Sequence, residues 1–160
     1  MAKVSYNGKT VALISRNDLA KLHERLKKKV SNMKDFLIFR MEQMGEECVK
    51  IAREAGSYQD RTGNLRSSIG YMVMCDGKPV KFGESKVFEG TKGKGDKGAV
   101  EGKALLKRLQ TKYPYGIVLV VCAGMNYAVY VEALYHKDVL TSSELKLESM
   151  ARDLVSQLNL

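Results

Sequence analysis

The chain is poor in the residues that staple, break or catalyse. It has no Trp, two Pro, two His and three Cys in 160 residues. Cys48, Cys75 and Cys122 are odd in number and widely spaced, which reads as reduced core thiols of a cytosolic product and predicts no disulfide. His23 lies among helix charges and His136 in a polar turn, so neither has a Cys, Ser or carboxylate partner at a catalytic or metal-binding spacing. An enzyme is therefore not expected: the sequence offers no catalytic residue, no metal ligand set and no cofactor site. Long hydrophobic runs are also missing. The longest, Ile117 to Ala123, is far short of the roughly 20 residues needed to span a bilayer, and the first eight residues lack the apolar centre of a secretory signal. No membrane partner is expected.

Acid is scarce relative to base: 27 Lys and Arg against 18 Asp and Glu give a formal charge of +9. Part of the excess clusters at Lys27, Lys28 and Lys29, and part at Lys92, Lys94, Lys97, Lys103, Lys107 and Arg108. Either group suits a polyanion or an acidic protein patch, although lysine without interleaved aromatics is more often a solvent-facing surface. With 44% hydrophobic and 28% charged residues, the composition is that of an ordinary globular protein, and the length suits a single domain over 1–160.

The apolar pattern predicts an α+β fold. Val4 to Ile14, interrupted by Asn7-Gly8, reads as a short strand or hairpin. From Ser15, which with Asp18 makes a capping-box-like start, apolar residues recur at Leu19, Leu22, Leu26, Val30, Met33, Leu37, Met41, Met44, Cys48, Ile51 and Ala55. This predicts a helix of about 40 residues and about 60 Å, ended by Gly56, whereas a compact chain of this size is about 40 Å across. The helix must bend, split near Ser31-Asn32, or protrude. Phe36, Ile38 and Phe39 make its middle apolar around most of the circumference, so a second surface should cover it, and these residues are the expected oligomer surface. Ile69 to Cys75 reads as a strand, Asp76-Gly77 as a turn and Val80 to Phe88 as a weaker strand. The Gly- and Lys-rich stretch at about 84–103 is expected to be a mobile basic insertion, followed by a helix over 99–113 that Pro114 stops. Tyr115 to Ala123 is the expected central strand, covered on both faces, and Thr141 to Leu158 a final helix opened by a Thr141–Glu144 capping box. Together these predict a long N-terminal and a C-terminal helix packed on one face of a mainly antiparallel sheet of about four strands.

Two corners carry the functional reading. In the first, Thr62 caps the turn, Gly63 permits a backbone geometry barred to other residues, Leu65 and Ile69 plug the core, and Arg66 points outward or sideways. The second contributes Tyr127, Tyr130 and Glu132. Thr62-Gly-Asn-Leu-Arg-Ser-Ser-Ile69 after a long helix, and Tyr127-Ala-Val-Tyr-Val-Glu132 after an apolar strand, resemble the HK97 gp10-like family of tailed-phage neck and tail-completion proteins. The resemblance runs from about Ser15 to the C-terminus. The chain departs from the family pattern at Tyr58-Gln-Asp-Arg61, where a proline is common, and at Leu134, where a glycine is. What the resemblance implies is a virion structural protein of the head-tail junction or tail, assembled in the host cytoplasm. It would act as a homo-oligomeric ring that contacts other head-tail junction or tail proteins. An Arg66–Glu132 ion pair, within one subunit or between neighbours, is expected to set the two corners.

The competing reading is a basic accessory protein that grips genomic DNA non-specifically through phosphates, using Lys92, Lys94, Lys97, Lys103, Lys107 and Arg108. Gly93-Lys-Gly-Asp-Lys-Gly98 formally satisfies G-x-G-x-x-G, but the strand before it is weak and no acidic residue follows at the ribose-binding distance, so a Gly-rich turn explains it.

Overall fold

The computed structural model describes residues 2–14, 16–54, 58, 60–83, 86–135 and 138–158. The expected helix cap at Ser15, the stop at Gly56 and His136 lie outside them. The chain divides into two compact units, residues 1–36 and 37–160.

The first unit holds strands β1 (Ala2–Tyr6) and β2 (Lys9–Ile14), paired antiparallel, and the start of helix α1 (Arg16–Glu54). Asn7 and Gly8 both have positive φ, 49° and 74°, the geometry that lets a two-residue turn follow the right-handed twist of a hairpin. Helix α1 runs unbroken through Ser31-Asn32, with 39 residues and no proline. Its stripe, Leu19, Leu22, Leu26, Val30, Met33, Leu37, Met41, Met44 and Cys48, is spaced 3-4-4 throughout, an eleven-residue period close enough to the helical one to stay on one face. That period continues to Ala52 and passes over Ile51; Ala52 is buried and Ile51 half-buried.

In the second unit, β3 (Ile69–Cys75) is the central strand of a three-stranded antiparallel sheet, between β4 (Lys78–Phe82) and β5 (Ile117–Ala123). This corrects two expectations. The sheet has three strands, not four, and the wholly apolar 117–123 run is an edge while the more mixed Ile69–Cys75 is the centre. Burial follows position: Ile69, Tyr71, Met72, Val73 and Met74 are all buried, whereas the side chains of β5 other than Cys122 are half-buried.

One face of the sheet, with Ile69, Tyr71 and Val73 on β3 and Ile117, Leu119, Val121 and Ala123 on β5, packs on Val49, Ala52, Ile38 and Met41 of α1. Helix α5 (Thr141–Gln157) joins the same side, where Ser143 Oγ donates to the Cys48 carbonyl at 2.8 Å. Fully burying a side chain of this kind contributes about 1.5–3 kcal/mol.

The other face meets α3 (Asp96–Gln110). The expected mobile insertion at about 84–103, of which residues 84 and 85 lie outside the described residues, is helical and packed over its second half. Gly95, Gly98 and Gly102 are buried, and α3 begins at Asp96, inside the stretch assigned to an open loop. A Cβ at Gly98 would overlap the Asn64 carbonyl, and one at Gly102 would sit 2.6 Å from Ser68 O. The glycines let the backbones of α3 and of α2 (Asn64–Ser67) touch; they do not loosen the chain.

Candidate assembly site

The first corner is built from backbone geometry. Gly63 has φ 71°, left-handed, and a Cβ there would collide with Phe88 O, so only glycine fits on both counts. The turn is then closed by Ser67 N–H on Gly63 O at 2.9 Å and Ser68 N–H on Asn64 O at 3.0 Å. The N-cap of α2 is Gly63 itself, with no side-chain cap hydrogen bond, so the expected Thr62 cap is not made.

The stretch after β4 wraps this corner. Lys92 N–H donates to Arg61 O at 2.6 Å, Phe88 N–H to Ser67 Oγ at 2.8 Å, and Gly98 N–H to Asn64 Oδ1 at 3.1 Å. Asn64 thereby satisfies one of the amide donors that the first turn of α3 leaves without a helical partner.

Leu65 and Ile69 both enter the core as expected. Leu65 packs with Met125, Ala128 and Val139, residues before, within and after the second corner, so the two corners share one cluster. Helix α4 (Ala128–Tyr135) carries Tyr130 and Glu132. Tyr127 and Tyr130 are both exposed.

Arg66 and Glu132 do not form an ion pair in this chain. The Glu132 carboxylate accepts from the Thr141 hydroxyl at 2.6 Å, Thr141 N–H at 2.9 Å and Leu140 N–H at 3.1 Å. Asp138 accepts from the backbone and hydroxyl of Ser142. These two carboxylates cap α5, in place of the expected Thr141–Glu144 box, and they sit where the helix dipole favours negative charge. Burial alone would raise the Glu132 pKa, but the hydrogen bonds from Thr141, Leu140 and Val139 outweigh it and lower the pKa below the ordinary carboxylate value.

The Arg66 guanidinium lies over the Phe88 ring, 4.6 Å from its centroid, and Arg53 lies at 5.2 Å from the same ring. Cationic stacking on an aromatic face is worth about 0.5–2 kcal/mol depending on desolvation. Arg53 also donates to Ile69 O at 2.8 Å. Burial lowers the Arg53 pKa, and the neighbouring Arg66 adds to that. Beside this stack is a groove of about 680 Å³ lined by Phe39, Lys50 and Lys86 and by Glu42, Glu46, Glu47 and Glu54. Tyr71, clamped between Gly45 and Gly83, donates to Glu46 Oε1 at 2.7 Å; burial and that bond both raise its pKa. The groove has no preponderance of one charge and no nucleophile–base pair. Sequence reasoning passed over Phe88, because nothing local marks a ring that two distant arginines will share.

Lys92, Lys94, Lys97, Lys103, Lys107 and Arg108 are all exposed. On α3, Gly98 and Gly102 are buried, and Lys103 and Lys107 border a cleft with Met72 and Phe82 of the sheet. The G-x-G-x-x-G match is absorbed by packing, since Gly95 and Gly98 are closed off by protein backbone. Of the expected oligomer surface, Phe36 and Phe39 are exposed, whereas Ile38 turns toward the core. The described residues hold no group of three or more His, Cys, Asp and Glu placed to bind a metal, and no helix long and apolar enough to cross a membrane.

No protein-family model, curated protein or solved structure matches the chain.

Proposed function

We propose that this protein is an architectural component of a tailed-phage particle, at the head-tail junction or in the tail, and that it works by self-association into a ring. The observation that carries the reading is the first part of α1. Every residue from Asp18 to Phe36 is exposed, yet Leu19, Leu22, Leu26, Val30, Met33 and Phe36 form a continuous apolar stripe there, with Val30 57% exposed. A helical stretch of about 20 residues with no packed face gains too little from its own hydrogen bonds to persist in water, so something covers this one. Soluble monomers seldom present an apolar strip of that length without a partner.

The corners support the same reading from the other side. Gly63 is spent on shaping the first corner, Leu65 on packing it against the second, and Glu132 on capping α5, which makes a rigid body suited to repeated contacts between identical subunits. Arg66 and Tyr130 remain near the surface of that body. The basic side chains of 92–108 then face a neighbouring acidic surface or the genome.

Native mass measurement across concentration tests the reading. The unaltered chain is expected to shift from monomer to one closed oligomer, and Leu22→Asp with Val30→Asp to remain monomeric with an unchanged denaturant midpoint. A double variant that still closes into the same oligomer would refute the role of the stripe. A DNA-binding accessory role makes the opposite forecast: affinity for duplex DNA that falls steeply with salt, and no defined oligomer.

A further inference from the structure

The three-stranded sheet has two edges, and they are built differently. On β4 the outer edge carries Lys78, Pro79 and Lys81, the combination of charge and missing N–H that discourages a further strand. On β5 there is no charge and no proline over Ile117-Val-Leu-Val-Val-Cys-Ala123. The direction of its backbone groups follows from two bonds: Gly124 N–H donates to Ser68 O at 3.1 Å, and Asp76 N–H to Gly116 O at 2.8 Å. Even-numbered residues of β5 therefore bond to β3. Ile117, Leu119, Val121 and Ala123 direct their N–H and C=O groups away from it, and no strand among the described residues meets them.

A cleft of about 410 Å³ runs along this edge, lined by Tyr113, Val118 to Val121, Leu140 and Leu147, with Glu144 its one charged residue. An apolar, unguarded edge with a cleft beside it is the geometry that accepts an added strand.

The same chain holds strands that lack a partner. Among the described residues β1 and β2 pair only with each other, and a two-stranded hairpin is marginal in water without a third strand or a packed face. The β2 sequence, Lys9-Thr-Val-Ala-Leu-Ile14, has six residues against seven in β5, ends in an aliphatic run and carries a single basic residue, which complements Glu144. In β1, Lys3 and Ser5 interrupt the apolar pattern.

We propose that the open edge of β5 receives strand β2 of a second copy of this chain, which extends the sheet from three strands to five across the subunit boundary. The proposal deepens the self-association described above and rests on it. Donor and acceptor are different surfaces, so each copy gives one strand and takes one; contacts of that kind propagate head to tail and close into rings.

Amide hydrogen exchange resolves the edge residue by residue. It is measured on the full chain at concentrations above and below assembly, on a chain lacking residues 2–14, and on the full-length Val11→Pro variant. In the assembled full chain the amides of Ile117, Leu119 and Val121 are expected to be protected, and to lose about a hundredfold or more of that protection on dilution and in both variants. The amides of Val118, Val120 and Cys122, bonded to β3, stay protected throughout and report that the fold is intact. An assembled chain whose odd-numbered amides exchange freely overturns the proposal and leaves the ring reading standing. Odd-numbered amides still protected in the variants also overturn it, and point to β5 pairing with β5. Protection already present in a monomer overturns it as well, and a chain monomeric at every concentration overturns both.

Discussion

Replacing Glu132 by Ala is the perturbation that separates the observed structure from its sequence-based expectation most sharply. The carboxylate accepts from Thr141 N–H, Thr141 Oγ and Leu140 N–H. Loss of a helix cap costs about 0.5–2 kcal/mol, and each hydrogen bond to a charged acceptor is worth about 1.5–3 kcal/mol when its donor is left without a substitute. Thr141 is exposed and water replaces its partner; Leu140 is half-buried and its amide is the one left stranded. The expected loss is therefore about 2 kcal/mol, or about 4–8 °C in Tm for a chain of this size, read by urea and thermal unfolding. Glu132→Gln keeps an acceptor oxygen and loses about half as much.

The pH dependence has a fixed sign. The folded Glu132 pKa is depressed below its ordinary value of 4.5, so its contribution is complete above that value and disappears as pH falls through the lower folded one. The acid limb of the stability curve should flatten in Glu132→Gln. An Ala variant within about 0.5 kcal/mol of the unaltered chain would refute the capping role. Arg66→Ala combined with Glu132→Ala should be additive within about 0.5 kcal/mol; a larger coupling would restore the ion pair that the geometry replaces.

Gly98→Ala places a methyl group on the Asn64 carbonyl and should cost about 3 kcal/mol or prevent α3 from docking, seen as a lower denaturant midpoint. Gly116→Ala, where an added methyl group meets nothing, isolates the backbone cost of a positive φ and should be the milder of the two. Phe88→Ala removes the ring shared by Arg53 and Arg66 and is expected to destabilise by about 2–4 kcal/mol, more than the sum expected for a half-exposed aromatic, as measured by chemical denaturation. Exchanging Lys92, Lys94, Lys97, Lys103, Lys107 and Arg108 for Gln should leave the unfolding midpoint within about 0.5 kcal/mol, since all are exposed, while lowering the salt slope of any DNA affinity in proportion to the phosphates no longer neutralised.

Local rules were enough for much of this chain. The three-and-four spacing of Leu19 to Cys48 determined α1, because a face repeating every 3.6 residues is legible without knowing what covers it. Asn7-Gly8 and Asp76-Gly77 determined two hairpin turns, because few residues tolerate positive φ at adjacent positions. Leu65 and Ile69 were identifiable as core by the same patterning. What the sequence left open depends on partners far along the chain. Nothing near Gly98 or Gly102 says whether a glycine frees a loop or admits a neighbouring backbone; the approach of α2 decides it. The run at 117–123 is apolar enough for a central strand, but strand order places β3 there and leaves β5 with an open edge. Glu132 and Arg66 were marked as important by their corners, yet opposite charge in sequence carries no distance. Only the tertiary structure brings the carboxylate to the amides of α5 and the guanidinium to Phe88, because hydrogen bonds and ring contacts act over a few ångströms and the chain alone does not fix which groups come that close.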